Sequence, residues 1–209
     1  MGRGREGAMR AGLAFDDVLA AAQAGAAWAF ETLYRGLAPT VIAYLRLHGA
    51  ADPDDVASET FLGVFTGLPG FRGDEEALRS WVFTIAHRRL IDDWRRRSRR
   101  PRLADDAGDL TLLAGGDAED DALVRVGTDD VHRLCAGLPD DQRAVLLLRV
   151  LADLTVEQIA SVMGRSVGSV KALQRRGLRS LRERIEKSSE IVPGTRVPLA
   201  ARPAMTGVR

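Results

Sequence analysis

Between Leu103 and Asp121 the chain places Asp105, Asp106, Asp109, Asp117, Glu119, Asp120 and Asp121 without a single lysine or arginine, spaced by Gly108, Gly115 and Gly116. Like charges at this density repel one another, and glycine adds backbone freedom, so such a segment buries little and extends. Its position near the middle of 209 residues predicts two small folded units rather than one large one. The expected division is a disordered leader over 1–12, a first domain over 13–100, the flexible acidic linker over 101–121, a second domain over 122–187 and a disordered tail over 188–209. The tail has Pro193 and Pro198 flanking short apolar pieces, a third proline at Pro203 and no periodicity.

Both units read as helical. Alanine, leucine and valine dominate the apolar residues, and the β-branched and aromatic clusters that favour strands are scarce. The fold class is therefore all-α. The formal net charge of +1 says little about partners, because the charges come in blocks. Cys135 is the sole cysteine, which excludes an intramolecular disulfide and suits the cytoplasm. No apolar run approaches the roughly 18 residues of a membrane span, so no membrane insertion is expected.

In the first unit a helix is expected from near Asp16 through Leu19, Trp28, Phe30, Leu33 and Tyr34, with Pro39 interrupting it and Val41, Ile42, Tyr44 and Leu45 resuming the pattern. The next start is well marked. Asp52 can cap, Pro53 suits the first turn, and Asp54 and Asp55 complement the positive end of the dipole. That helix carries Val56, Phe61, Leu62, Val64 and Phe65 before Gly67-Leu68-Pro69-Gly70 stops it. After the polar stretch Arg72-Gly73-Asp74-Glu75-Glu76, residues Phe83, Ala86, His87, Leu90, Ile91 and Trp94 recur at helical spacing on one face. The opposite face collects Arg88, Arg89, Arg95, Arg96 and Arg99. So dense a positive strip calls for an anionic partner, and these arginines, with Arg72 in the preceding loop, are assigned to phosphates and nucleic acid.

In the second unit Leu138-Pro139-Asp140-Asp141 opens a helix with Val145, Leu146, Leu148 and Leu151. Thr155 starts a short helix, and Gln158 completes a capping box. Ser166 caps a third helix that extends through Leu181. Two helices across a tight glycine-containing turn, the second one basic, make a helix-turn-helix. On the last helix Val170, Leu173, Gly177 and Leu181 share the core face. Gly168, Ala172, Arg175, Arg176 and Arg179 then point outward, with Lys171 and Arg182 on the flank and Ser169 in the first turn. Outward residues near the start of such a helix reach base edges, where arginine matches guanine.

The run Leu154-Thr155-Val156-Glu157-Gln158-Ile159-Ala160, then Ser166-Val167-Gly168-Ser169-Val170-Lys171 and Arg175-Arg176, resembles the promoter-reading fourth region of extracytoplasmic-function sigma factors of bacterial RNA polymerase. Asp54-Asp55-Val56 with Glu59-Thr60-Phe61 resembles their second-region helix that grips the polymerase clamp. Trp81-Val82-Phe83-Thr84-Ile85-Ala86 with Leu90-Ile91-Asp92 resembles the melting and minus-ten-reading segment. The resemblance covers about Phe30 to Arg100 and Leu138 to Arg184. It implies a promoter-specificity subunit that binds core RNA polymerase and promoter DNA, and it admits an anti-sigma factor as a further partner. The upstream minus-thirty-five element falls to Gly168, Ser169, Lys171, Ala172, Arg175, Arg176 and Arg179. The polymerase falls to Asp55, Ser58, Glu59 and Phe61. The stretch Phe71 to Arg79 corresponds to the pocket for a flipped minus-ten base. Two positions depart from the pattern: Ser58 stands where glutamine is frequent, and His87 where asparagine is common.

Other chemistry finds little support. No Walker loop, nucleophile elbow, dinucleotide fingerprint or paired ligand motif occurs, so neither an enzyme nor a cofactor is expected. His132 and Cys135 at i, i+3 lack the further ligands of a closed zinc site. Trp94 lies on the packing stripe, whereas Trp81 fits either packing or base stacking. The rival to a sigma factor is a stand-alone helix-turn-helix regulator, which would need an effector or dimerisation module in place of the first unit.

Overall fold

The computed structural model describes residues 14–99 and 133–191. The leader, the acidic linker and all but the start of the 188–209 tail lie outside the described residues. Helix α1 (Phe15–Gln23) and α2 (Ala27–Leu47) form the first pair. Helix α3 (Pro53–Gly67) runs into a 3₁₀ turn (Leu68–Gly70), and α4 (Glu75–Arg99) closes the unit. The second unit holds α5 (Asp140–Val150), α6 (Val156–Met163) and α7 (Val167–Ile191).

The break between the first two helices falls at Gly25 and not at Pro39, a correction to the sequence reading. Gly25 has φ of 88°, a left-handed conformation, and Ala26 N–H reaches back to the Ala21 carbonyl at 3.0 Å, a left-handed helix stop that favours glycine. Pro39 sits inside α2, on its exposed side. An interior proline costs about 3 kcal/mol. The buried side chains of Leu33, Val41, Tyr44 and Leu45 along the same helix contribute roughly 1.5–3 kcal/mol each. Burial wins, and the helix continues.

Asp52 accepts from Asp55 N–H at 2.9 Å, with Pro53 in the first turn, as expected. Asp74 does the same for α4, accepting from Ala77 N–H at 2.8 Å. Glu75 to Arg79 is thus the first turn of α4, and only 71–74 remain as loop. The apolar stripe of α4 is confirmed, with Phe83, Ala86 and Leu90 buried against α2 and α3.

The buried apolar side chains of the two units join in one continuous core. Val145, Leu148, Leu154, Ile159 and Val170 are buried in the second unit, and α4 packs against α6 while α2 touches α5. Arg143 marks the junction. Its guanidinium donates to the carbonyls of Cys135, Ala136 and Leu138 at 2.8–2.9 Å and reaches the His48 carbonyl on α2's end at 3.4 Å. The α7 helix also runs past its expected limit, continuing to Ile191.

Candidate nucleic-acid interface

Local chemistry sets the geometry of α6 and α7 before any packing is considered. Thr155 accepts from Gln158 N–H at 3.2 Å while the Gln158 side chain accepts from Thr155 N–H at 2.8 Å, so the capping box is complete. The C-terminal end stops at Gly164, whose φ of 62° is left-handed, and Arg165 N–H returns to the Ala160 carbonyl at 2.9 Å. Ser166 then caps α7, accepting from Ser169 N–H at 3.2 Å. Eight residues of α6, closed at both ends, leave α7 no freedom in where it begins.

Packing sets how α7 is rolled. Val170, Leu173 and Gly177 are buried, as their spacing predicts. At Gly177 the helix lies so close to α5 that an added Cβ would sit 2.9 Å from Leu146 Cδ1 and 3.4 Å from Gln142 Cβ. Lys171, Arg175, Arg176 and Arg179 are consequently exposed, Gly168 faces open space, and Ser169 and Ala172 are half-buried at the edge of the same surface. None of these four cations forms an ion pair among the described residues. The outward face derived from periodicity is the outward face of the structure.

The first unit is organised differently. Arg88, Arg89, Arg95 and Arg96 are exposed along α4, which ends at Arg99. Two of them turn toward α3: Arg89 and Arg96 approach Glu59 at 4.0 and 3.6 Å. Arg95 pairs with Asp92 at 3.6 Å and Arg97 with Asp93 at 3.0 Å, whereas Arg88 has no ion pair among the described residues. Arg72 folds onto its own turn, donating to the carbonyls of Pro69 at 3.1 Å and Phe71 at 2.6 Å. Trp81 is half-buried and stacks on Phe71, with ring centroids 5.2 Å apart.

On α3 the outward side carries Asp55, Ser58 and Glu59, which are exposed or half-buried; the Ser58 hydroxyl donates to the Asp54 carbonyl at 2.9 Å. Phe61 faces the other way. It is only 2% exposed and packs edge-on against Tyr34 at 4.8 Å, so it shapes the helix from behind and presents no surface. Its neighbour Leu62 is 71% exposed and completes the Asp55, Ser58, Glu59 face at helical spacing. The i, i+3, i+4, i+7 spacing of Asp55, Ser58, Glu59 and Leu62 is the local signal that marks it.

Beneath the strip on α4 lies a buried aromatic group. Tyr44 is buried, and desolvation pushes its phenol far above the usual range, so it stays protonated and donates to His87 Nδ1 at 2.7 Å. His87 is thereby a neutral, packed histidine, its pKa lowered chiefly by burial. His48, 1% exposed, is held down at about 4, chiefly by burial, with the Arg143 guanidinium adding to the effect and a backbone hydrogen bond and Asp141 opposing it. Trp94 packs edge-on to His48 at 5.0 Å and donates from Nε1 to the Gly49 carbonyl at 3.3 Å. Cys135 is buried and its thiol is pushed up by desolvation, while His132 lies outside the described residues. Among the described residues no helix is long and apolar enough to cross a membrane.

Comparison with known proteins agrees with this arrangement. Residues 33–100 match the family model of sigma-70 region 2, and residues 128–181 that of sigma-70 region 4. The chain is 30% identical to the RNA polymerase sigma factor YlaC of Bacillus subtilis over 164 residues, which is 77% of this chain and 94% of that one. It is 31% identical to the ECF RNA polymerase sigma factor ShbA of Streptomyces griseus, covering 64% of this chain and 72% of that one. Among solved structures, CnrH in complex with the cytosolic domain of CnrY shares the fold, with a TM-score of 0.61, 21% identity, and coverage of 84% of this chain and 99% of that chain. The chain belongs to the extracytoplasmic-function family of RNA polymerase sigma factors.

Proposed function

We propose that this sigma factor divides its work between two helix faces. The exposed cations of α7 read the upstream promoter element, and α4 with the 71–74 loop engages the downstream element. Arg175 near the centre of the α7 face faces guanine, while Lys171 and Arg179 toward its edges hold phosphates. Arg72, Arg88, Arg89, Arg95, Arg96 and Arg99 supply the downstream phosphate contacts, and Gly168, Ser169, Ala172 and Arg176 complete the upstream surface. Asp55, Ser58 and Glu59 face core polymerase, with Leu62 as their apolar centre. The protein acts in the cytoplasm as a promoter-specificity subunit and not as an enzyme.

The observation that carries this reading is the α7 face: four cations without an internal acid, on a helix whose start and roll are both fixed. Transcription with purified core polymerase on a randomised promoter library tests it. Initiation at defined sites only when the protein is added, together with weak duplex binding by the free protein, is the expected result. Tight, sequence-specific duplex binding by the free protein, without effect on core polymerase, would establish the stand-alone regulator instead.

A further inference from the structure

Gln23 is the last residue of α1 and lies before the span matched by the region 2 family model. Nothing in its sequence context marks it. In the structure its side-chain amide donates to two carbonyls far along the chain, Leu68 at 3.1 Å and Phe71 at 2.9 Å. These carbonyls bracket the 3₁₀ turn, so both amide hydrogens of one side chain are used to hold its two ends. Helix α1 packs directly against that turn.

The turn is held elsewhere as well, and every hold converges on the loop that follows. Leu68 is fully buried. Phe71 lies stacked on Trp81, and Trp81 covers Gly67 so closely that a Cβ there would stand 2.9 Å from the indole ring. Arg72 donates to the Phe71 carbonyl that Gln23 also uses. The orientation of the Arg72 guanidinium and of the 71–74 loop thus depends on a carbonyl whose position Gln23 helps to set.

We infer that Gln23 is a positioning residue for downstream-element recognition: by clamping the carbonyls of Leu68 and Phe71, it aims the 71–74 loop and Arg72 at the DNA. The inference rests on the assignment of that loop to the downstream element. Glutamine suits the task because it offers two N–H donors on one planar group at the end of a two-methylene reach. Methionine matches its length without donors, and asparagine keeps the donors but loses reach.

The experiment compares holoenzymes carrying Gln23→Met, Gln23→Asn and Arg72→Ala with wild type. Initiation is read from one library randomised across the upstream element and one across the downstream element, and core binding is measured by competition. Gln23→Met is expected to flatten downstream base preference on the order of tenfold, the scale of two lost hydrogen bonds. Gln23→Asn is expected to fall between it and wild type. Upstream preference and core binding should stay at the wild-type value. If Arg72→Ala alters downstream preference while Gln23→Met does not, the inference is overturned and the loop assignment survives. If neither does, the loop assignment itself is wrong. Equal losses by Gln23→Met in core binding and in both preferences would show a general structural role and also overturn the inference.

Discussion

The α4 strip and the α7 face are both cationic and are not equivalent. On α7, Lys171, Arg175, Arg176 and Arg179 stand clear of every acid among the described residues. On α4, Arg89 and Arg96 bracket Glu59, and Arg95 and Arg97 pair within their own helix. Counting arginines overstates how much positive charge α4 offers to an outside anion. It also hides a link: Glu59 stands on the helix proposed to face polymerase, so the same acid borders two proposed interfaces. Surface pairs of this kind are worth about 0–1 kcal/mol, weak enough for a phosphate to displace. The α7 cations carry no such pairs among the described residues, whereas those of α4 also tie it to α3.

What lies underneath the two faces differs more than the faces do, and acid exposes it. Below α4 sit His48 and His87, while the described part of the second unit, 133–191, contains no histidine. A histidine whose folded pKa is depressed contributes stability that is full above its unfolded value near 6.5 and is lost as pH falls toward the folded value. For His48, held at about 4, that amounts to about 3 kcal/mol across the window from pH 6.5 to 4. His87 shifts in the same direction. Urea unfolding between pH 7 and 4 should therefore show a steep loss of stability in wild type and a shallower one in His48→Phe. An unchanged slope in the variant would mean that the acid sensitivity resides elsewhere.

A smaller effect tests whether the α7 face reads or merely attracts. Arg175→Ala should remove about 1–3 kcal/mol of discrimination at one or two upstream positions and leave the downstream preference intact. Lys171→Ala should weaken all promoters alike and lower the slope of log affinity against log salt by about 1. Initiation from an upstream-randomised library, repeated at several salt concentrations, separates the two. Identical behaviour of the two variants would reduce the face to an undifferentiated cationic patch.

The smallest effect sharpens the contrast from the α4 side. Glu59→Gln frees Arg89 and Arg96, so holoenzyme binding to a downstream fragment should strengthen modestly, by less than about 1 kcal/mol, and become more salt-sensitive. Its affinity for core polymerase should fall in the same preparation. Fragment binding that is unchanged in both strength and salt dependence would show that Glu59 does not restrain the two arginines.

Legibility from sequence followed the range of the interactions. The capping box at Thr155, the Ser166 cap and the α7 face depend on residues within a turn or two, and each was readable. The Gly25 break was also local, but Pro39 is the louder signal, and only the burial of Leu33, Val41 and Tyr44 along one uninterrupted face shows why it is overridden. The inward turn of Phe61 was within reach of a wheel. Glu59 between Arg89 and Arg96, Gln23 on the Leu68 and Phe71 carbonyls, and Arg143 at the His48 carbonyl join positions tens of residues apart, and no local pattern encodes them. The meeting of α4 with α6 belongs to the same class: an acidic stretch predicts a tether, and says nothing about whether the segments on either side of it touch.

The close approach at Gly177 separates two properties that are usually entangled. The direction in which α7 presents its outward residues is set from behind, by a residue with no side chain pressed toward Leu146, and not by anything on its exposed side. Arg175, Arg176 and Ala172 can therefore be exchanged for other residues without re-aiming the helix, much as type can be reset in a press whose bed stays bolted. On the proposed reading, new promoter preferences are open to such a protein through changes at the front alone, while a methyl group added at position 177 would press first on the Leu146 side chain.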